Sequence, residues 1–243
     1  MIDQLWPNGP LFKYAKGVSN PGIDSILLTY FAHCGSLKKN EREVDIGCGS
    51  GIISVILAWD NPSLLIDSIE IQVIAARLAS ENIALNNMGE RVSIIEGDLR
   101  KHRELLNSGA YDFAISNPPY HPQGSGKITL DTSISNARME ENCTLADICQ
   151  AAAYMTRYGG AFYLVHLPER IAEIFHCLRE TNFEPKRLRF VQHNQSSPPN
   201  LVLIESRRGG KPPLKVEAPL ILKKEGGDDT DELKLALHLT TDS

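Results

Sequence analysis

From Glu43 onward the chain alternates short apolar runs with helical patterns, and few folds accommodate that order. The apolar runs fall at Val44–Ile46, Leu64–Ile69, Val92–Glu96, Phe113–Ser116, Ala161–His166, Leu188–His193 and Leu201–Glu205. Helical spacing lies between them: Ile52, Val55 and Ile56 share one face, as do Ile74, Leu78 and Leu85. Thr144 and Asp147 form a capping signal, followed on one face by Leu145, Ile148, Ala152 and Met155, with Gly159-Gly160 as the expected stop. Ile171, Ile174, Phe175 and Leu178 mark a further helix. Strand–helix alternation implies an α/β fold, a parallel sheet with helices on both faces. The last two runs are joined only by the polar segment 194–200, too short for a crossover helix, so that pair is expected to be antiparallel. The expectation is a Rossmann-like, seven-stranded, mostly parallel sheet ending in an antiparallel hairpin.

Length and composition agree with one large core. The chain has 243 residues, 42% of them hydrophobic and 23% charged. No apolar run is long enough for a bilayer, and the N-terminus has no signal-peptide pattern, so a cytoplasmic protein without membrane partners is expected. The five cysteines match no zinc spacing, and reduced, mostly buried thiols with no metal are expected. A net charge of −5 argues against coating nucleic acid non-specifically, because phosphate binding needs a basic surface. One local patch stands out. Lys186, Arg187, Arg189, Arg207, Arg208 and Lys211 are close in sequence, with only Glu205 among them as an opposing charge.

Two segments carry the chemistry. Asp45-Ile46-Gly47-Cys48-Gly49-Ser50-Gly51 lies where the first run meets the first helix. Glycines there let the backbone turn sharply and approach a ligand closely. The acid before the glycines and the Gly-x-Gly-x-Gly spacing disfavour a dinucleotide site. The next two runs also end in acids, at Glu70-Ile71 and at Glu96-Gly97-Asp98-Leu99. Acids at successive strand ends point to a ligand, since such sheets bind at their carboxyl edge. The second segment is Asn117-Pro118-Pro119-Tyr120, directly after the fourth run.

The glycine segment resembles the first motif of class I methyltransferases. Asn-Pro-Pro-Tyr resembles the (Asn/Asp)-Pro-Pro-(Tyr/Phe) motif of those acting on amine or amide nitrogen. The resemblance implies S-adenosyl-L-methionine as cofactor and S-adenosyl-L-homocysteine as product. Asp45, Gly47, Cys48, Gly49, Gly51, Glu70, Ile71, Asp98, Leu99 and Asn117 are the expected cofactor contacts, with Glu70 on the ribose hydroxyls and Asp98 on the adenine amine. An aryl amine is a poor nucleophile because its lone pair is delocalised into the ring. The Asn117 side-chain oxygen and the Pro118 carbonyl can accept its two N–H groups and direct the lone pair at the methyl group. The prolines hold those acceptors rigid. Tyr120 can stack on an extruded base.

Nearly the whole chain is similar to the bacterial valine-tRNA adenine-N6 methyltransferase family. The matching segments are Ile23-Asp24-Ser25-Ile26-Leu27-Leu28, Ala137-Arg138-Met139-Glu140, Lys186–Arg189, Leu201–Glu205 and Pro219-Leu220-Ile221. Asn20-Pro21-Gly22 departs from the family's aromatic-rich segment at that place. The resemblance implies methylation of adenosine N6 3′ of the anticodon, and contact of Ser25 with the cofactor's methionine end. The alternatives are a release-factor glutamine methyltransferase, another RNA amine methyltransferase, or a catalytically silent binding module. The intact motif disfavours the last, and the short segment before Asp45 the first. For a tRNA substrate, the basic cluster together with Arg138 and Lys127 is the expected contact surface, and a monomer is expected. Residues 121–142 read as a mobile lid, and His121 needs no role, since the amine's proton can leave to water. The expected organisation is an N-terminal segment at the site over 1–40, a methyltransferase domain over 41–222 and a polar tail over 223–243.

Overall fold

The computed structural model describes residues 1–18, 20–34, 41–120 and 143–240. A short antiparallel hairpin, β1 (Ile2–Gln4) and β2 (Leu11–Lys13), leads to helix α1 (Ile23–His33). Strand–helix units follow: β3 (Arg42–Ile46), α2 (Ile52–Asp60), β4 (Leu65–Glu70), α3 (Val73–Leu85) and β5 (Val92–Glu96). After a short turn of helix, α4 (His102–Leu105), come β6 (Tyr111–Ser116), α5 (Leu145–Met155), β7 (Thr156–His166) and α6 (Ile171–Glu180). The chain closes with β8 (Phe183–Gln192), β9 (Pro199–Arg208), β10 (Lys215–Val216), β11 (Leu220–Ile221) and α7 (Asp231–Ala236).

The central sheet runs β5-β4-β3-β6-β7-β9-β8. The first five of these strands are mutually parallel, and β9 is antiparallel to both β7 and β8, as the short connection requires. Two short strands, β10 and β11, extend it by pairing parallel to the outer edge of β8, and their two-residue length left no periodic signal.

Side-chain alternation along the strands divides the interior in two. On β7, Ala161, Tyr163 and Val165 face the α1/α2 layer, while Phe162 and Leu164 face the α5/α6 layer. Fully burying a side chain the size of Val165, Leu164 or Phe162 contributes about 1.5–3 kcal/mol of transfer free energy. The chain ends join the first layer. Trp6 and Phe12 from the hairpin region and Leu233 and Ala236 from α7 lie in the same cluster, and Trp6 stacks on His238 at 3.9 Å. Within residues 223–240, α7 is therefore packed structure, capped by the Thr230 hydroxyl accepting from the Leu233 N–H.

Three local expectations are corrected. α5 has the expected Thr144–Asp147 capping box but ends at Met155, before the two glycines. Those glycines lie in β7, where pairing with β6 jumps from Tyr111–Thr156 to Phe113–Ala161. A side chain at Gly160 would meet the Asp112 carbonyl at 2.5 Å, so glycine is required by this bulge and not by a helix stop. On α3 the buried face is Ala75, Leu78, Ala79, Asn82 and Ile83, and Ile74 is exposed. Small residues turn inward because α3 approaches the glycine loop closely. Finally, α2 is buried over Ile52–Ala58 and not along one stripe, because helices α1 and α3 and strand β4 all pack against it.

Glu43 on β3 is completely buried, and neither carboxylate oxygen has a hydrogen-bond partner among the described residues. Burial, reinforced by the charge of Asp45, pushes its carboxyl well above the usual range. The folded protein thus keeps a proton that the unfolded chain loses above about pH 4.3, and this costs stability increasingly as pH rises. Glu43→Gln is expected to raise the thermal midpoint at pH 8. The gain should shrink as pH falls toward 4.5, as checked by thermal unfolding across that range.

Candidate active site

The carboxyl ends of β3, β4, β5 and β6 converge on a cavity of about 340 Å³, within the usual size of small-molecule sites. The glycine loop forms its floor. The Gly47 and Cys48 N–H groups both bond the Ile69 carbonyl, at 2.9 and 3.0 Å, and the Gly49 N–H bonds Glu70 Oε2 at 2.8 Å. Gly47, Gly49 and Gly51 all have left-handed φ values, from +56° to +83°. At Gly51 a side chain would also press on Ala79 of α3 at 3.1 Å.

The Glu70 carboxylate is held by two backbone donors, Gly49 N–H and Gln72 N–H, each at 2.8 Å. Each oxygen keeps a further lone pair. Burial raises its pKa and these N–H groups oppose the rise. Asp98 lines the wall at the end of β5. Its carboxyl is held below the usual range chiefly by Arg100, which binds it through Nε and Nη2. Ile71, Leu99 and Cys48 complete that side.

Two expected cofactor contacts are not on the cavity wall. Asp45 is fully buried and accepts from the Ser54 hydroxyl at 2.6 Å, and Ser54 in turn bonds Ser68 at 2.8 Å. It points toward α2, because side chains alternate along β3 and its neighbours Val44 and Ile46 face the other layer. Burial raises its pKa to about 7. Gly51 lies behind the loop, where it allows α2 and α3 to meet. Both residues support the loop from below.

Asn117, Pro118, Pro119 and Tyr120 line the opposite wall. Ser116 anchors the turn through a 2.8 Å bond from its hydroxyl to the Ile46 carbonyl. Asn117 Nδ2 donates to the Ser25 hydroxyl at 2.9 Å, and the Tyr120 hydroxyl lies 2.8 Å from Asn117 Oδ1 and 2.5 Å from Asp24 Oδ2. Ser25 thus fixes the amide of Asn117. His166, at the end of β7, packs its ring 5.4 Å from that of Tyr120. Burial and the nearby Arg170 lower its pKa to about 4, so it is neutral at pH 7 and accepts from the Leu167 N–H.

Part of the basic cluster lies away from this edge, while Arg189 is level with Val165 through Leu203. β9 is antiparallel to β7, with Val202 beside His166 and Arg207 beside Ala161. Arg207, Arg208 and Lys211 therefore lie toward the opposite edge of the sheet from Asn117. Its cations are also largely satisfied within the chain. Arg187 pairs with Glu205 and Glu217, Arg189 with Glu232, and Arg207 with Glu205. Lys186 donates to the Lys211 and Pro213 carbonyls, and Arg208 to the Thr156 carbonyl. Glu217 and Glu232 are distant in sequence, so the sequence showed only Glu205. His121, Lys127 and Arg138 lie outside the described residues. Of the five free cysteines, Cys48 and Cys149 are buried and Cys34 is exposed. Among the described residues no His, Cys, Asp and Glu cluster could hold a metal ion, and no helix is long and apolar enough to cross a membrane.

Residues 24–167 match the family model of the methyltransferase small domain. The chain belongs to that family. It is an S-adenosylmethionine-dependent methyltransferase. The tRNA1(Val) (adenine(37)-N6)-methyltransferase of Escherichia coli O157:H7 is 32% identical over 204 residues, covering 81% of this chain and 80% of the relative. The protein of that name from Parabacteroides distasonis is 30% identical over 184 residues, covering 76% and 75%. Among solved structures, a protein described as a predicted O-methyltransferase from Agrobacterium tumefaciens superposes with a TM-score of 0.72 at 18% identity, over 88% of this chain and 95% of that one. A SAM-dependent methyltransferase from Aquifex aeolicus gives a TM-score of 0.56 at 12% identity, over 76% and 92%. Both share the fold.

Sequence reasoning missed Asn82 of α3 because a polar residue in a helix carries no motif. It is fully buried. Its Oδ1 accepts from the Lys13 N–H at 2.7 Å, and its Nδ2 donates to the Ser50 carbonyl at 3.0 Å and the Lys13 carbonyl at 3.2 Å. One side chain thus ties the N-terminal hairpin to the methyltransferase glycine loop. Asn82→Ala strands these buried backbone groups and is expected to cost about 2 kcal/mol of stability. It should also weaken S-adenosylmethionine binding about tenfold by loosening the loop, as checked by denaturant unfolding and calorimetric titration.

Proposed function

We propose that the protein methylates the exocyclic N6 of an adenosine in tRNA, at the position 3′ of the anticodon in valine tRNA. The Asn117–Tyr120 turn, facing the cavity across from the glycine loop, is the observation that carries this reading. The relatives of that activity, matched over three quarters or more of each chain, supply the substrate. A cytoplasmic, monomeric enzyme goes with this role.

The cavity suits the cofactor by its donor set. Glu70 offers fixed acceptor lone pairs for vicinal hydroxyls, Asp98 and Leu99 stand where a purine edge would be read, and Ile71 gives an apolar cover. When bound, S-adenosylmethionine supplies an electrophilic methyl group on a sulfonium. The rest falls to this chain. Asn117 Oδ1 and the Pro118 carbonyl accept the two N–H groups of the adenine amine and turn its lone pair away from the ring. Ser25, by accepting from Asn117 Nδ2, keeps Oδ1 facing the substrate, so little reorganisation is needed. The Tyr120 ring, backed by His166, stacks on the base. The adenine amine gives up its surplus proton to water, so no side-chain base is required.

Methyl transfer from labelled S-adenosylmethionine into tRNA from a strain lacking the protein, followed by nucleoside analysis, tests this directly. N6-methyladenosine is expected. Label appearing in a protein instead of tRNA would move the substrate to a glutamine amide. Asn117→Ala should lower kcat about 10²–10³-fold, the size seen when one fixed electrostatic partner is removed, well beyond any loss of cofactor affinity from the contact it also makes there.

A further inference from the structure

The Tyr120 hydroxyl has one proton and two acceptors within reach, Asp24 Oδ2 at 2.5 Å and Asn117 Oδ1 at 2.8 Å. The second acceptor is the oxygen that the substrate amine needs. A phenol donating to Asn117 Oδ1 would compete with the amine for it. The carboxylate is the stronger acceptor, since charge-assisted hydrogen bonds are shorter and about twice as strong as neutral ones. The shorter distance to Asp24 agrees with that order.

We infer that Asp24 is a positioning residue for the methyl-accepting site: its carboxylate holds the Tyr120 hydroxyl and so leaves the Asn117 side-chain oxygen open to the amine. The inference rests on the amine-methylating role proposed above. Asp24 sits in the first turn of α1, beside Ser25, so consecutive residues of one helix control both ends of the catalytic turn. Gly22 makes room for this. A side chain there would collide with the Asp24 carboxylate, although its backbone φ of −86° suits any residue. Burial first, and then the Asp24 charge, push the pKa of the Tyr120 phenol further up from its ordinary value.

The alternative role for a carboxylate in this position is direct pairing with a cationic group of the cofactor, and the two roles predict different variants. Asp24→Ala frees the phenol to donate to Asn117 and is expected to lower kcat about tenfold, the worth of one competing hydrogen bond, with the Kd for S-adenosylmethionine changed less than about twofold. Adding Tyr120→Phe, which keeps the ring and removes the competing proton, should raise kcat severalfold above that of Asp24→Ala. Asp24→Asn, still an acceptor, should retain most of the activity, and Gly22→Ala should behave as Asp24→Ala. A double variant no better than Asp24→Ala overturns the inference. So does an Asp24→Asn protein that loses cofactor affinity as Asp24→Ala would on charge pairing. A substrate-free measurement separates this from the proposed activity. The side-chain amide resonances of Asn117 should shift on Tyr120→Phe in the Asp24→Ala background by more than in the wild-type background. If the wild-type protein leaves tRNA unmethylated, the substrate assignment falls while this comparison still decides the role of Asp24; equal shifts in both backgrounds overturn it.

Discussion

The active site depends on how the glycine loop is tied to the neighbouring strand. Ile69 and Glu70, the last residues of β4, take three successive N–H groups of the loop. These bonds form only if β3 and β4 are parallel and in register, with Ile46 beside Ile69. The loop then turns into α2, and Gly51 lets α3 close behind it. One carboxylate thereby serves two purposes: Glu70 fixes the loop with lone pairs facing it and keeps others for a ligand. Below the loop, the Asp45–Ser54–Ser68 chain joins β3, α2 and β4, so the loop rests on a hydrogen-bonded base and not on apolar packing alone. The motif acid works through the backbone it supports.

The parts legible in the sequence were those written in short-range pattern. Strand periodicity located the seven main strands, the length of 194–200 fixed the antiparallel hairpin, and the two motif segments marked both walls of the cavity. What was not legible depended on three-dimensional neighbours. Gly159 and Gly160 carry a helix-stop signal, yet Gly160 is required by the Asp112 carbonyl on the adjacent strand and Gly159 by its φ of +77°. Ile74 fitted a helical stripe, but close approach to the loop favoured the alanine face of α3. Asn82 and Ser116 have no local signature because each acts on backbone from a different part of the chain, and Asp24, although it lies in a segment that carries the resemblance, shows its contact with Tyr120 only in the fold.

The basic cluster shows the same limit in electrostatic form. Charges near one another in sequence look like a patch when their partners lie elsewhere. Glu217 and Glu232 come after the hairpin, and β10, β11 and α7 bring them onto β8. With side-chain exposures of 18% for Arg187 and 15% for Arg189, these pairs are shielded enough to brace the sheet edge, where surface pairs would contribute little. Arg187 also lies over the Phe31 ring at 4.3 Å, so it fastens α1 to the same edge. Arg187 and Arg189, which resembled part of a phosphate-binding surface, hold the C-terminal segment against the sheet.

That attachment of α1 bears on catalysis. A sheet edge alone presents Asn117 with its amide free to rotate, and either its oxygen or its nitrogen could face the cavity. In the observed orientation the nitrogen end donates to an acceptor on α1 and Oδ1 lies on the other side, toward Tyr120. The Ser25 hydroxyl is that acceptor, and it reaches Asn117 because Leu27, Leu28 and Phe31 bury the inner face of α1 against α2 and β7. The N-terminal hairpin, held to α3 through Asn82 and Asn86, fixes the chain that enters this helix. The segment preceding the methyltransferase sheet thus carries the contacts that hold the Asn117 amide in its observed orientation. A truncated sheet domain would keep the motif and lose the contacts that orient it.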